Sequence, residues 1–168
     1  NRSSEHFVNN GELNATDENS YRNFHLEDMS LAVNKLTEMG MYGVRLGTET
    51  KTLLSFSENE KIIDYAGTGR NDFMDIYLLS KAKFLLAPNS GPYVVSTLFR
   101  RPVAFVNLSP FLGTNGYYLP DDIFIPKKYW LIEEKRFLSL DEIFKRKVDS
   151  YMKQSEFKKA GIELISNT

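Results

Sequence analysis

A chain of 168 residues has room for one domain with a real core and too little length for two comfortable ones. Its net charge of −1 argues against a nucleic-acid binder or a polybasic membrane anchor, and the absence of cysteine removes disulfides, thiolate metal sites and a cysteine nucleophile. No apolar run approaches the ~20 residues of a membrane span and no signal peptide is visible; the first residue is Asn, so the expectation is a single domain over 1–168 taken from a longer chain.

Residues 1–22 are polar and rich in Asn, Ser and Glu, and read as loop. From Asn23 to Met39 the apolar positions Leu26, Met29, Val33 and Leu36 recur at helical spacing, with Asn23 as a candidate cap and Gly40 as a C′ residue. MYGVRLG (41–47) and KIIDYAG (61–67) read as strands, separated by a polar loop. DFMDIYLLSKA (72–82) is apolar around most of its circumference, which suits a helix packed deep against a sheet.

FLLA (84–87) is a short continuous apolar run, the pattern of a parallel strand covered on both faces. Asn89-Ser90-Gly91-Pro92 then opens a helix, with Ser90 as the natural N-cap, and Arg101-Pro102 closes it before the strand VAFVN. Residues 108–136 hold three Pro and two Gly and read as irregular, the length of a lid or binding loop. Ser139-Leu140-Asp141-Glu142 is a capping box for a helix from Leu140 to about Met152, and GIELIS is a candidate last strand. Strands alternating with helices predict an α/β fold with a mostly parallel sheet and helices on its faces.

Ligand crevices in such sheets lie beyond the carboxyl ends of the strands. The Asn89-Ser90-Gly91 turn is the leading candidate: Gly91 lets a ligand approach the backbone, and Ser90 could donate to a phosphate or sugar oxygen. A plain capped helix is the competing reading. Gly67-Thr68-Gly69 lacks the third glycine of a dinucleotide loop. Asp72 and Asp75 share a helix face, where capping competes with a contact to a sugar hydroxyl. Arg2, Arg22 and Arg45 stand near loop or strand ends and suit bidentate phosphate contacts, against the alternative of surface ion pairs. His6 and His25 show no metal-ligand spacing, and Lys127-Lys128 is too short for a basic patch.

Taken in order, SYRNF, MYGVRLG, KIIDYAG, DFMDIYLLSKAKFLLAPNSG and RRPVAFVN resemble a bacterial family classed with the glycosyltransferases. In that family an HSYRN-like segment, a VIRMG-like strand, an IIDYA strand and an SDFMDIYL helix follow one another. The opening Asn1-Arg2-Ser3-Ser4 is similar to a segment that follows the family's first strand. The resemblance implies a GT-B architecture, two Rossmann-like domains around one active site, of which this chain would be the C-terminal, donor-binding half, truncated at both ends.

It further implies metal-independent chemistry without a cofactor, a nucleotide-sugar donor and a glycan or other hydroxyl acceptor. Arg2 and Arg22 would meet the diphosphate, Asn89, Ser90 and Gly91 would supply donors, Asp72 or Asp75 would contact a hydroxyl, and Arg45 would help form the pocket floor. A catalytic base would come from the missing N-terminal domain, so this piece alone is not expected to turn over. The setting implied is cytoplasmic, or peripheral at the inner membrane, in bacterial glycan biosynthesis. A non-catalytic α/β module that binds a nucleotide or sugar phosphate is the alternative.

Overall fold

The structure is a computed structural model that describes residues 18–47, 59–110 and 118–167. These residues fall into two compact units, one built from 25–47 and 59–78, the other from 18–24, 79–110 and 118–167. Both combine helices with strands, and five of the eight strands pair in parallel, so the α/β class read from the sequence holds.

In the first unit, the helical pattern after Asn23 becomes a 3-10 turn at Leu26–Met29 followed by α1 (Ser30–Glu38). Asn23 is not its cap. Gly40, at φ +90°, ends it in the left-handed conformation that glycine adopts without a Cβ penalty. The two predicted strands shorten to β1 (Gly43–Val44) and β2 (Ile62–Ile63), paired in parallel. A Cβ on Gly43 would stand 3.2 Å from Val33 Cγ1, so glycine is what lets α1 lie close on β1. The buried Thr37 fastens α1 to the approach to β2: Asn59 Nδ2 donates to its hydroxyl at 2.8 Å and Lys61 Nζ to its carbonyl at 3.1 Å. After a 3-10 turn at Tyr65–Gly67, α2 (Asp72–Lys81) carries the chain into the second unit.

The second unit holds two three-stranded sheets. In the first, β3 (Leu85–Ala87), β4 (Val103–Leu108) and β5 (Ile123–Pro126) are all parallel, in the order β3-β4-β5. α3 (Pro92–Leu98) bridges β3 and β4, a βαβ unit whose core joins Val103, Phe105 and Leu108 to Leu85, Tyr93 and Phe124. The Phe105 ring stacks on Phe124 at 5.2 Å and meets Tyr93 edge-on at 5.3 Å. In the second sheet, β6 (Lys128–Leu131) lies between β7 (Arg136–Phe137) and β8 (Ile162–Ile165), antiparallel to both. α4 (Leu140–Lys145) and α5 (Gln154–Lys159) complete this layer around Tyr129, Leu131, Ile143, Val148, Phe157 and Ile162.

Several expectations are corrected here. Much of 108–136, read as irregular, forms β5, β6 and the start of β7, although 111–117 lie outside the described residues. The sequence disguises these strands because Pro126 breaks the run, yet Pro126 ends β5 opposite Leu108, after a shift of register between Val106 and Leu108. The helix expected from Leu140 to about Met152 stops at Lys145, and Lys147 turns at φ +55° into a 3-10 turn at Val148–Ser150. α2, expected to be packed deep, buries Leu79 and leaves Phe73, Ile76 and Tyr77 exposed. β3 is half covered: Ala87 is buried, while Leu85 and Leu86 are intermediate. Residues 20–22, read as loop, form a 3-10 turn whose Tyr21 is fully buried.

Candidate functional site

Parallel strands present their carboxyl ends along one edge, and three polar positions follow from that rule in the second unit. Asn89 stands two residues past β3, Asn107 near the end of β4, and Lys127 one residue past β5. The segment Ser20–Asn23 is fixed to this edge at three points. Tyr21 is sunk into the second core, its ring 5.8 Å from Phe157. Arg22 Nη2 donates to the Asn89 carbonyl at 3.4 Å, and Lys127 Nζ donates to the Asn23 carbonyl. The SYRN string is thus a strap across the carboxyl ends of β3 and β5.

Arg22 is half-buried, makes no ion pair among the described residues, and its Nε is sealed from solvent without a hydrogen-bond partner. A guanidinium held, among the described residues, by one long bond to a carbonyl keeps most of its five donors for something else. Ser109, at the end of β4, also carries a buried hydroxyl without a partner. Lys127 was the residue that sequence reasoning passed over. A lysine one step beyond a parallel strand was the available signal, but the doublet Lys127-Lys128 hid it among surface charges.

Ser90 and Gly91 follow Asn89, whose carbonyl accepts from Arg22, and the expected cap is not found there. Ser90 does not cap α3: its hydroxyl donates weakly to the Pro88 carbonyl at 3.4 Å, and Gly91, in helical conformation, occupies the cap position without a side-chain bond. Pro92 has no N–H to offer, and the amides of Tyr93 and Val94 already donate to the carbonyls of Ser90 and Gly91. The start of this seven-residue helix therefore supplies few free donors, and Arg22 becomes the principal cation of the edge.

The remaining candidates lie in the other unit. Arg45, with 5% of its side chain exposed, donates from Nη1 to Asp64 Oδ2 at 3.0 Å, and Asp64 comes from the IIDYA string. The pair braces the end of the parallel join, where Arg45 N donates to Ile63 O and Ala66 N to Arg45 O. Asp72 and Asp75 do not cap α2; Asn71 does, its Oδ1 accepting from the Met74 amide at 2.9 Å. Both aspartates instead grip Arg70, Asp75 at 2.7 Å from Nε and Asp72 at 2.9 Å from Nη2. Arg70 was missed, although an arginine two and five residues ahead of two aspartates is a readable spacing. Arg2 lies outside the described residues.

Among the described residues no cluster of His, Asp and Glu could hold a metal ion, and no helix is long and apolar enough to cross a membrane. Comparison with protein-family models, with curated proteins and with solved structures finds no match.

Proposed function

We propose that the chain is the donor-binding part of a metal-independent glycosyltransferase of GT-B architecture, taking a nucleotide-sugar at the carboxyl edge of β3, β4 and β5. The observation that carries this reading is Arg22, a half-buried guanidinium without a carboxylate partner among the described residues, strapped beside Asn89 at the end of a parallel strand. The ordered strings shared with the bacterial family support it, since two of them, SYRN and the segment ending in APNSG, meet at that contact. A diphosphate there would receive bidentate bonds from Arg22.

In the reaction, an acceptor hydroxyl attacks the anomeric carbon, the bond to the diphosphate oxygen breaks, and the proton leaves with a base supplied from elsewhere in the protein. Arg22 stabilises the charge that develops on the leaving diphosphate. Asn89 holds the guanidinium through its carbonyl.

The test is a thermal-shift series with UDP-, GDP-, dTDP- and CMP-sugars and with NAD. Ligand present at a hundred times its dissociation constant stabilises the folded state by about 2.7 kcal/mol, enough to move a melting midpoint by several degrees. One sugar-nucleotide group should produce that rise, and Arg22→Ala should cancel it. A rise with NAD alone, or a rise that survives Arg22→Ala, refutes the reading. Release of nucleoside diphosphate on adding an acceptor to the full-length protein separates the transferase from a binding module.

A further inference from the structure

Away from that edge, Asp149 is an unusual residue. It belongs to the 3-10 turn Val148–Ser150 and is only 6% exposed. Among the described residues its carboxylate makes no hydrogen bond and no ion pair. A carboxylate withdrawn from water without a partner is costly, so buried acids are nearly always paired. Its oxygens are nevertheless not sealed off. Asp149 lines a shallow pocket of about 410 Å³ together with Phe144, Lys147 and Ser150.

The local chain explains how the pocket arises. α4 ends at Lys145, and Lys147 adopts a left-handed backbone at φ +55°, which turns the following residues back across the end of the helix. Ser150 Oγ then donates to the Lys147 carbonyl at 2.8 Å and fixes the turn. Val148, 2% exposed, is driven into the core, which holds Asp149 in place beside it.

We propose that this pocket binds a small organic monocation, an alkylammonium or alkylguanidinium head, through Asp149, with the alkyl stem beside Phe144. An aromatic ring next to a carboxylate is the combination that takes such a cation, the ring accepting the weakly hydrated part and the carboxylate the charge. Lys147 lines the same pocket without pairing with Asp149, and its ammonium opposes a second positive charge. A single carboxylate facing a lysine is a poor site for a divalent metal, which needs several oxygen ligands. The inference is independent of the donor site.

The experiment is an amide NMR titration of the folded protein with propylguanidinium and propylammonium chloride, with sodium and magnesium chloride at matched ionic strength as controls. Saturable shifts confined to residues 144–150 are expected with the organic cations. Asp149→Asn should abolish them and raise the melting midpoint by a few degrees, because it removes an unpaired charge. Lys147→Ala should tighten binding several-fold by removing the like charge. The proposal is overturned if no saturable shift occurs, if Asp149→Asn still binds, if magnesium gives the same shifts, or if Asp149→Asn lowers the midpoint, since the carboxylate would then be a structural acceptor.

Discussion

The backbone N–H of Asn167 donates to Asn107 Oδ1 at 2.7 Å, so a residue sixty positions earlier holds the end of the second sheet. Asn107 is 1% exposed and sits at φ +55°, a conformation that asparagine tolerates better than most residues. Its amide also receives Asn167 Nδ2 at 3.1 Å, and that same nitrogen donates to the Pro126 carbonyl at 2.8 Å. The parallel sheet and the antiparallel sheet are thereby clamped where β4, β5 and the residues after β8 converge.

Asn107→Ala should therefore be strongly destabilising. It strands the Asn167 amide and places alanine in a left-handed backbone, which together should cost about 2–4 kcal/mol. Urea unfolding of the two proteins measures this, and a loss under about 0.5 kcal/mol would show that the clamp is not needed.

The Arg45–Asp64 pair predicts an asymmetry. Asp64→Ala removes the carboxylate bonded to Nη1 of a guanidinium with 5% of its side chain exposed, and the expected loss is about 3 kcal/mol. Replacing both residues, Arg45→Met with Asp64→Leu, should recover much of that loss, because the penalty comes from the stranded charge. Equal losses in the single and double variants would place the cost elsewhere.

Glu142 gives a pH dependence. Its carboxylate accepts from Arg136 Nη2 at 2.6 Å and Nη1 at 2.9 Å, and also from the Ser139 amide at 2.9 Å, the reciprocal half of the capping box. These bonds, the Arg136 contacts foremost, hold its pKa down to about 2 from an ordinary 4.5. A depressed carboxylate contributes stability that is complete above the unfolded value and is lost as pH falls from about 4.5 through about 2. Glu142→Gln should thus be less stable than the parent at pH 7, with the gap narrowing across that window. Chemical denaturation at several pH values would reveal it, and a gap independent of pH would remove the charge as its cause.

Gly91 tests the donor site from the other side. A Cβ built there meets nothing within 4 Å and the backbone is already helical, so the fold has no objection to a side chain. Gly91→Val should leave circular dichroism and the melting midpoint nearly unchanged while abolishing the sugar-nucleotide shift. Undiminished binding would mean that the ligand does not approach this turn.

The α/β class, the order of the helices and the parallel strand VAFVN were legible because periodicity reports which faces of a segment are apolar, and burial follows that pattern. Ser139 and Glu142 were equally legible, since a capping box is local and closes within four residues. The turn after Gly91 was partly so: the sequence placed a helix start there, but Pro92 and the early turn bonds of Tyr93 and Val94 use up the donors that a longer helix would leave free.

What the sequence could not contain is which distant groups meet. Arg22 finds Asn89, Lys127 finds the Asn23 carbonyl, and Asn107 finds Asn167 across separations of 67, 104 and 60 residues. No periodicity encodes such pairs. They form because Tyr21, Tyr129 and Phe157 must share one core, and burying those rings brings polar neighbours together that then have to satisfy one another away from water. The local sequence pattern determined the helices α1 to α3, the start of α4 and the strands β1 to β4 and β8; the packing of the buried rings decided which charges and amides would face each other at the ends of the strands.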